Sequence, residues 1–294
     1  MIEIIGKSIS VVAPVFALAA LGYFCGRESD ATPLNRVNLS VFLPLLVFVS
    51  LAGVDGDFSH LGYVAALGAG IVLGSGVVAL GVCRLVGWNV REIVPPCMFS
   101  NYGNMGLPLI ALAFGEDALA MAVVLFMAGN ALHVTVGFKI LDGKLSLFDV
   151  AKNPIFVAAT LGILTNITGI SIPSVIQTPL DMGAAVSVPL MLFALGARMR
   201  EVNAAMIRGS VLPALLCPAS GLVCYAVLFP LMPDSETRMV LAVFAALPPA
   251  LLNYIFAEQF GLNARRIASM VMTGNLLSVV VIPLVLAVVF YFGG

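Results

Sequence analysis

Between Ile93 and Phe114 the chain is apolar for long enough to cross a bilayer, yet its middle reads Ser100-Asn101-Tyr102-Gly103-Asn104-Met105-Gly106-Leu107-Pro108. Glycine is conformationally loose and proline lacks an N–H, so this stretch predicts a broken helix. In hydrocarbon a break strands backbone N–H and C=O groups, and it survives only where protein or a watery cavity satisfies them. A second break is predicted at Ala246-Leu247-Pro248-Pro249-Ala250-Leu251-Leu252-Asn253. The interrupting residues are Gly103, Gly106 and Pro108 in the first, and Pro248 and Pro249 in the second. Two interrupted spans at matching positions of two halves point to a transporter site at mid-membrane.

Composition agrees with a membrane setting. Of 294 residues, 61% are hydrophobic and only 10% charged, and the mean hydropathy is +1.10. Soluble domains carry about 25% charge, so the chain reads as an all-α polytopic membrane protein. The net charge of −1 says little about partners, and no basic run points to nucleic acid. The apolar stretch Ile9 to Cys25 follows Glu3 and Lys7 rather than a positive leader, and is expected to be a first span, not a cleaved signal. Cys25, Cys83, Cys97, Cys217 and Cys224 lack ligand spacing and read as small buried hydrophobes.

Segments of about 20 residues between charged and Gly/Pro-rich breaks predict ten spans: 8–26, 36–53, 61–86, 92–114, 117–139, 152–169, 180–198, 207–231, 237–260 and 265–292. Arg27, Arg36, Arg84, Arg91, Lys139, Lys144, Lys152, Arg198, Arg200, Arg208, Arg265 and Arg266 then fall on one side, twelve of the 14 basic residues. Only Lys7 and Arg238 fall on the other. The positive-inside rule puts the dozen in the cytoplasm and both termini outside, in a multi-pass protein of the inner or plasma membrane.

The halves repeat. Pro14-Val-Phe-Ala-Leu-Ala-Ala-Leu-Gly22 matches Pro154-Ile-Phe-Val-Ala-Ala-Thr-Leu-Gly162, and Pro44-Leu-Leu-Val-Phe48 matches Pro189-Leu-Met-Leu-Phe193. Met127-Ala-Gly-Asn130 matches Met272-Thr-Gly-Asn275. Five spans is an odd number, so the second half must enter from the opposite side. The expected architecture is two inverted five-helix repeats, 1–142 and 150–294, with spans 4 and 9 broken and crossed.

Several of these residues together resemble the auxin efflux carrier family. The pattern Asn101-x-x-Asn104-x-Gly106-Leu107-Pro108, closed by Phe114-Gly115, is similar to its fourth span. Leu247-Pro248-Pro249-Ala250-x-x-Asn253-Tyr-x-x-Ala257-x-x-Phe260-Gly261 is similar to its ninth, leading into Ala268-Ser269, Thr273 and Leu277-Ser278. Lys152-Asn153-Pro154, Pro189-Leu190 and Leu195-Gly196-Ala197 extend the resemblance over the whole chain. It implies the ten-helix fold of bile-acid symporters, a scaffold of spans 1, 2, 6 and 7, and an elevator-like transport domain of spans 3–5 and 8–10. It also implies a small organic anion such as malonate, malate or an auxin as substrate. The long loop of the plant carriers is missing; only Lys139 to Ala151 lie there.

Asn101, Asn104 and Asn253 lead the candidate substrate-binding residues, because an amide can give its NH2 to a carboxylate or its oxygen to a cation. The resemblance adds that Asn101 matches a substrate-binding asparagine. The half-helix start after each break would supply free N–H groups and partial positive charge. The plainer reading is that these amides cap broken backbone. Asn130 and Asn275, the repeat-related pair, could bind substrate or merely join helices. Ser100, Asn101, Thr273 and Ser278 are candidates for an ion site, although hydroxyls in membrane helices more often bond their own backbone. Asn153 reads as an N-cap. His133, about one turn past Asn130, could couple protons or be interfacial. Glu258 and Asp181 read as solvated, and Glu116 and Asp117 as an outer turn.

Two other functions are weighed. A cation/proton antiporter needs a buried titrating acid, and span 5 offers Asn130 instead. A membrane-embedded enzyme needs a serine–histidine or paired-aspartate constellation; none is evident, and His60 sits in an outer loop. The expectation is a transporter without a catalytic or cofactor site, coupled to sodium, to protons or to neither, and forming a homodimer through spans 2 and 7.

Overall fold

The described chain is helical almost throughout, because each apolar run must bond its own backbone internally in lipid. The computed structural model describes residues 2–54, 58–141, 152–201 and 204–293. The expected boundary between halves and Lys144 lie outside the described residues, as do the side chains of Lys7, Glu116 and Asp117.

The first half comprises α1 (Ile2–Cys25), α2 (Glu28–Val37), α3 (Leu43–Ala52), α4 (Phe58–Val86), α5 (Val90–Met98), α6 (Leu107–Phe114), α7 (Glu116–Leu132) and α8 (Phe138–Ile140). Three π-helical turns interrupt it: Asn38–Phe42 joins α2 to α3, Tyr102–Gly106 leads into α6, and His133–Gly137 joins α7 to α8. The second half comprises α9 (Pro154–Thr168), α10 (Ser174–Arg198), α11 (Ala204–Arg208), α12 (Val211–Leu228), α13 (Ser235–Ala245), α14 (Leu252–Gln259) and α15 (Ala264–Gly293). Among the described residues six helical stretches are long and apolar enough to cross a membrane, with three shorter apolar ones at Ile9–Cys25, Tyr102–Phe114 and Pro154–Thr168. Large side chains such as Val77, Leu164, Ile167, Val175 and Val288 stand exposed around the outside. Water would penalise so much bare apolar surface; lipid does not.

Two groups of helices pack closely within themselves. In one, α10 lies along α1, α2 and α3, and α3 also lies along α9. In the other, α4 lies against α5, α7 and α12, while α15 takes α12, α13 and α14. Close approach in the first group needs glycine. A Cβ on Gly22 would sit 2.0 Å from the Phe193 carbonyl oxygen, and one on Gly162 would sit 2.8 Å from that of Phe48. These glycines close the matched Pro-to-Gly motifs, and the phenylalanines close the matched Pro-Leu motifs. The first half's glycine therefore meets the second half's phenylalanine, and the reverse contact also forms.

The two breaks meet inside the second group. Helix α5 ends at Met98, Phe99 turns extended, and Ser100 pairs antiparallel with Pro249 as an isolated β-bridge. The Asn101 N–H donates to Pro248 O at 2.7 Å and the Ala250 N–H to Phe99 O at 3.0 Å. Each break thus satisfies the other's stranded backbone, as the hydrocarbon setting demands. The first extended piece falls earlier than its glycines and proline predict. Pro108 lies in the first turn of α6, where a missing N–H costs nothing. Gly106 is there for room: its Cβ would lie 2.8 Å from Leu247.

Candidate functional site

Beside this crossing lies a cavity of about 610 Å³. Of the five candidate amides, Asn101, Asn104 and Asn130 line it, whereas Asn253 and Asn275 do not. Asn104 and Asn130 make no side-chain hydrogen bond among the described residues, so their amide groups face the cavity uncommitted. Asn101 does two things: it lines the cavity, and its Nδ2 donates to Asn275 Oδ1 at 2.9 Å.

The other two amides are occupied with backbone. Asn253 Nδ2 donates to Phe99 O and to Ala250 O, both at 2.8 Å, one carbonyl from each break. Asn275 Nδ2 donates to Pro249 O at 3.1 Å and to Val271 O at 2.8 Å. Both side chains are buried. Together they tie α14 and α15 to the crossing.

The candidate ion ligands are not gathered at one point of the cavity. Ser100 and Asn101 line it; Thr273 and Ser278 do not. Ser100 Oγ lies 3.3 Å from Cys217 Sγ, and Ser278 Oγ donates to Asn275 O at 2.6 Å. Thr273 Oγ1 is buried with no hydrogen-bond partner.

Both half-helix starts reach the same space. Gly103 and Asn104, at the start of the first π turn after the crossing, line the cavity, and so do Ala250, Leu251 and Leu252 at the start of α14. The first N–H groups of a helix have no intrahelical acceptor and carry partial positive charge. Glycines hold the surrounding wall. Tyr102 stacks on Phe244 at 4.4 Å between ring centroids and donates its hydroxyl to Met98 O. Gly129 admits that ring, since a Cβ there would meet Tyr102 at 2.5 Å.

Arg198, at the end of α10, also lines the cavity with Asn35, Ser40 and Asn153 from the other helix group. Asn153 caps α9 as expected of it, accepting from Ile155 N at 3.0 Å. Arg198 was legible in the sequence only as one more basic residue at a span end. No Asp, Glu or Lys is among the lining residues. Glu258 and Asp181 stand exposed and bond within their own helices, to Tyr254 and Gln177.

A cavity at the crossing of two interrupted helices, wall-lined by amides and free helix starts, is a transporter's arrangement. The family model for membrane transport proteins matches residues 8–150 and again residues 143–286. The chain belongs to this family, that of the auxin efflux carriers. An "uncharacterized transporter" of Methanothermobacter thermautotrophicus is 25% identical over 296 residues, covering 94% of this chain and 97% of the relative. The "uncharacterized transporter YfdV" of Escherichia coli K12 is 24% identical over 291 residues, covering 86% and 88%. A "putative malonate transporter" of Rhizobium meliloti is 26% identical over 307 residues, covering 95% and 93%. The family membership is that of a multi-pass membrane transport protein.

Proposed function

We propose that the chain moves a small organic carboxylate anion across the membrane by an elevator-type alternation of access. The observation that carries this reading is the cavity itself. Asn101, Asn104, Asn130, two half-helix starts and Arg198 face it, without an acidic side chain among its lining residues. Amide NH2 groups, free N–H groups and a guanidinium all donate, and a carboxylate only accepts. A cation would find few hard anionic ligands there. The relative named a putative malonate transporter favours a short dicarboxylate.

The architecture behind this reading is ten spans in two inverted five-helix repeats, 1–142 and 150–294. The reciprocal Gly22–Phe193 and Gly162–Phe48 contacts support it. Spans 1, 2, 6 and 7 form the scaffold, and spans 3–5 and 8–10 the moving transport domain. The cavity lies between the two, since Arg198, Asn35 and Asn153 belong to the first and the amides to the second. By the positive-inside rule those three residues belong to the cytoplasmic side, which favours reading the cavity as open inward. The scaffold pairs two copies into a homodimer through spans 2 and 7, which a dimeric mass in mild detergent and in lipid tests.

The deciding experiment is thermal stabilisation of the purified protein by a panel of mono- and dicarboxylates, each with and without sodium. A ligand at a hundredfold excess over its dissociation constant stabilises by about 2.7 kcal/mol. Stabilisation by a carboxylate supports the reading, and sodium dependence would add a cation site. No shift with any carboxylate would sink it.

A further inference from the structure

Three lining residues carry charge or can titrate: Arg198, Tyr102 and His133. Arginine stays charged, and Tyr102 has given its hydroxyl to Met98 O at 2.6 Å. That leaves His133 as the one lining group whose charge can change near neutral pH. Its surroundings are unusual for a polar ring. His133 is 3% exposed, stacks on Phe99 with centroids 4.1 Å apart, and meets Phe256 edge-on at 4.8 Å. It opens the π turn His133–Gly137, a feature that tends to mark functional positions. Gly137 makes room, since a Cβ there would lie 2.8 Å from Phe99 and 3.0 Å from the His133 ring. Held in this clamp, His133 Nε2 has no hydrogen-bond partner.

Among the described residues no neighbouring element offers the ring a counter-charge. On α5, Glu92 pairs with Arg266 of α15 at 3.0 Å, Arg91 donates to Leu141 O, and Cys97 is buried. On α14, Glu258 accepts from Tyr254 on the exposed side. Lys139 on α8 and Arg265 on α15 are exposed. An imidazolium enclosed by rings without an anion is costly, and a carboxylate arriving beside it removes that cost. Binding of the anion and of the proton then favour each other by the same factor.

We infer that His133 is a proton site filled together with the transported anion, so that the transporter is a proton–anion symporter. The inference rests on the carboxylate reading above. The proton comes from water on the loading side and returns to water with the anion on the other side, and no bond of the anion changes. A monocarboxylate would cross electroneutrally, and a dicarboxylate with one net negative charge.

Calorimetry of malonate binding to the purified full chain tests this, in two buffers of different ionisation heat at about pH 7.5, well above the ordinary histidine range. Wild type is expected to take up as much as one proton per anion, with affinity falling about tenfold per pH unit above neutrality. His133→Gln is expected to bind without proton uptake and without that pH dependence, whatever affinity remains; His133→Asn serves if the glutamine variant does not fold. Wild-type binding with no proton uptake would overturn this inference and leave the carboxylate reading standing. So would a variant that keeps the wild-type uptake. No binding by malonate or any other carboxylate of the panel would remove both.

Discussion

The two breaks interrupt their halves at matching places and end in different employment. In the first, the amides Asn101 and Asn104 line the cavity, and a π turn carries the chain back into helix. In the second, Pro248 and Pro249 form the extended piece itself, and Asn253 gives both its amide hydrogens to backbone carbonyls. The difference follows from supply. A proline pair removes two N–H donors from the second break, so side-chain donors must serve the carbonyls that remain. The first break keeps its N–H groups and can turn its amides toward a ligand. An asparagine in a membrane helix is thus informative only once its hydrogen-bonding positions have been accounted for.

The sharpest way to break this comparison is Asn101→Ala. Losing a charge-assisted bond to a bound carboxylate should cut uptake by about a hundredfold, ~2.7 kcal/mol, with a much smaller effect on the melting temperature. Uptake near wild type in proteoliposomes would remove Asn101 from the site. Next comes Asn253→Leu, which deletes two buried hydrogen bonds while Phe99 O keeps the Ala250 N–H. The expected cost is about 1–2 kcal/mol of stability, read as a lowered melting temperature, with carboxylate affinity little changed in the folded fraction. Weakened affinity with unchanged melting would make the two breaks functionally alike. Asn104→Ala and Asn130→Ala should do the reverse of Asn253→Leu, each weakening malonate binding about tenfold with no measurable change in melting.

Part of this was legible in the residues. The apolar runs and the basic asymmetry follow directly from what lipid and membrane potential permit, and the breaks from the chemistry of glycine and proline. The direction in which each amide points was not legible. Lipid and protein interior are both apolar, so hydrophobic periodicity, which orients a helix in a soluble protein, leaves the rotation of a buried span open. Asn253 and Asn275 therefore looked like Asn104 and Asn130. The π turns at Asn38–Phe42 and His133–Gly137 were hidden as well: one extra residue in a turn leaves too small a mark on the hydrophobic pattern of a short run. The helix α10 begins at Ser174, before the expected position 180, and carries Pro179 inside it rather than ahead of it.

The smallest expected effect separates the helices that lead into the two breaks. Asn89 caps α5, accepting from Arg91 N at 3.0 Å and donating to Glu92 at 3.0 Å. At the matching place Asp234 caps α13, taking the Thr237 N–H at 2.7 Å and the Thr237 hydroxyl at 2.9 Å, with His60 Nε2 at 3.3 Å. Burial pushes the Asp234 carboxyl up and is the largest single influence, yet the Thr237 bonds and His60 outweigh it and hold the group below its ordinary value. A carboxyl depressed on folding stabilises the fold above its unfolded value, and that contribution disappears as pH falls through the lower folded one. The side chain is 45% exposed, so water screens much of the effect. Wild type should therefore lose slightly more melting temperature than Asp234→Asn on acidification below about pH 4. Equal acid slopes would place the titrating group elsewhere. The asymmetry has a local cause: where Asp234 has a hydroxyl at Thr237 to receive, Asn89 has the Glu92 carboxylate, and a second negative charge at that cap would repel it.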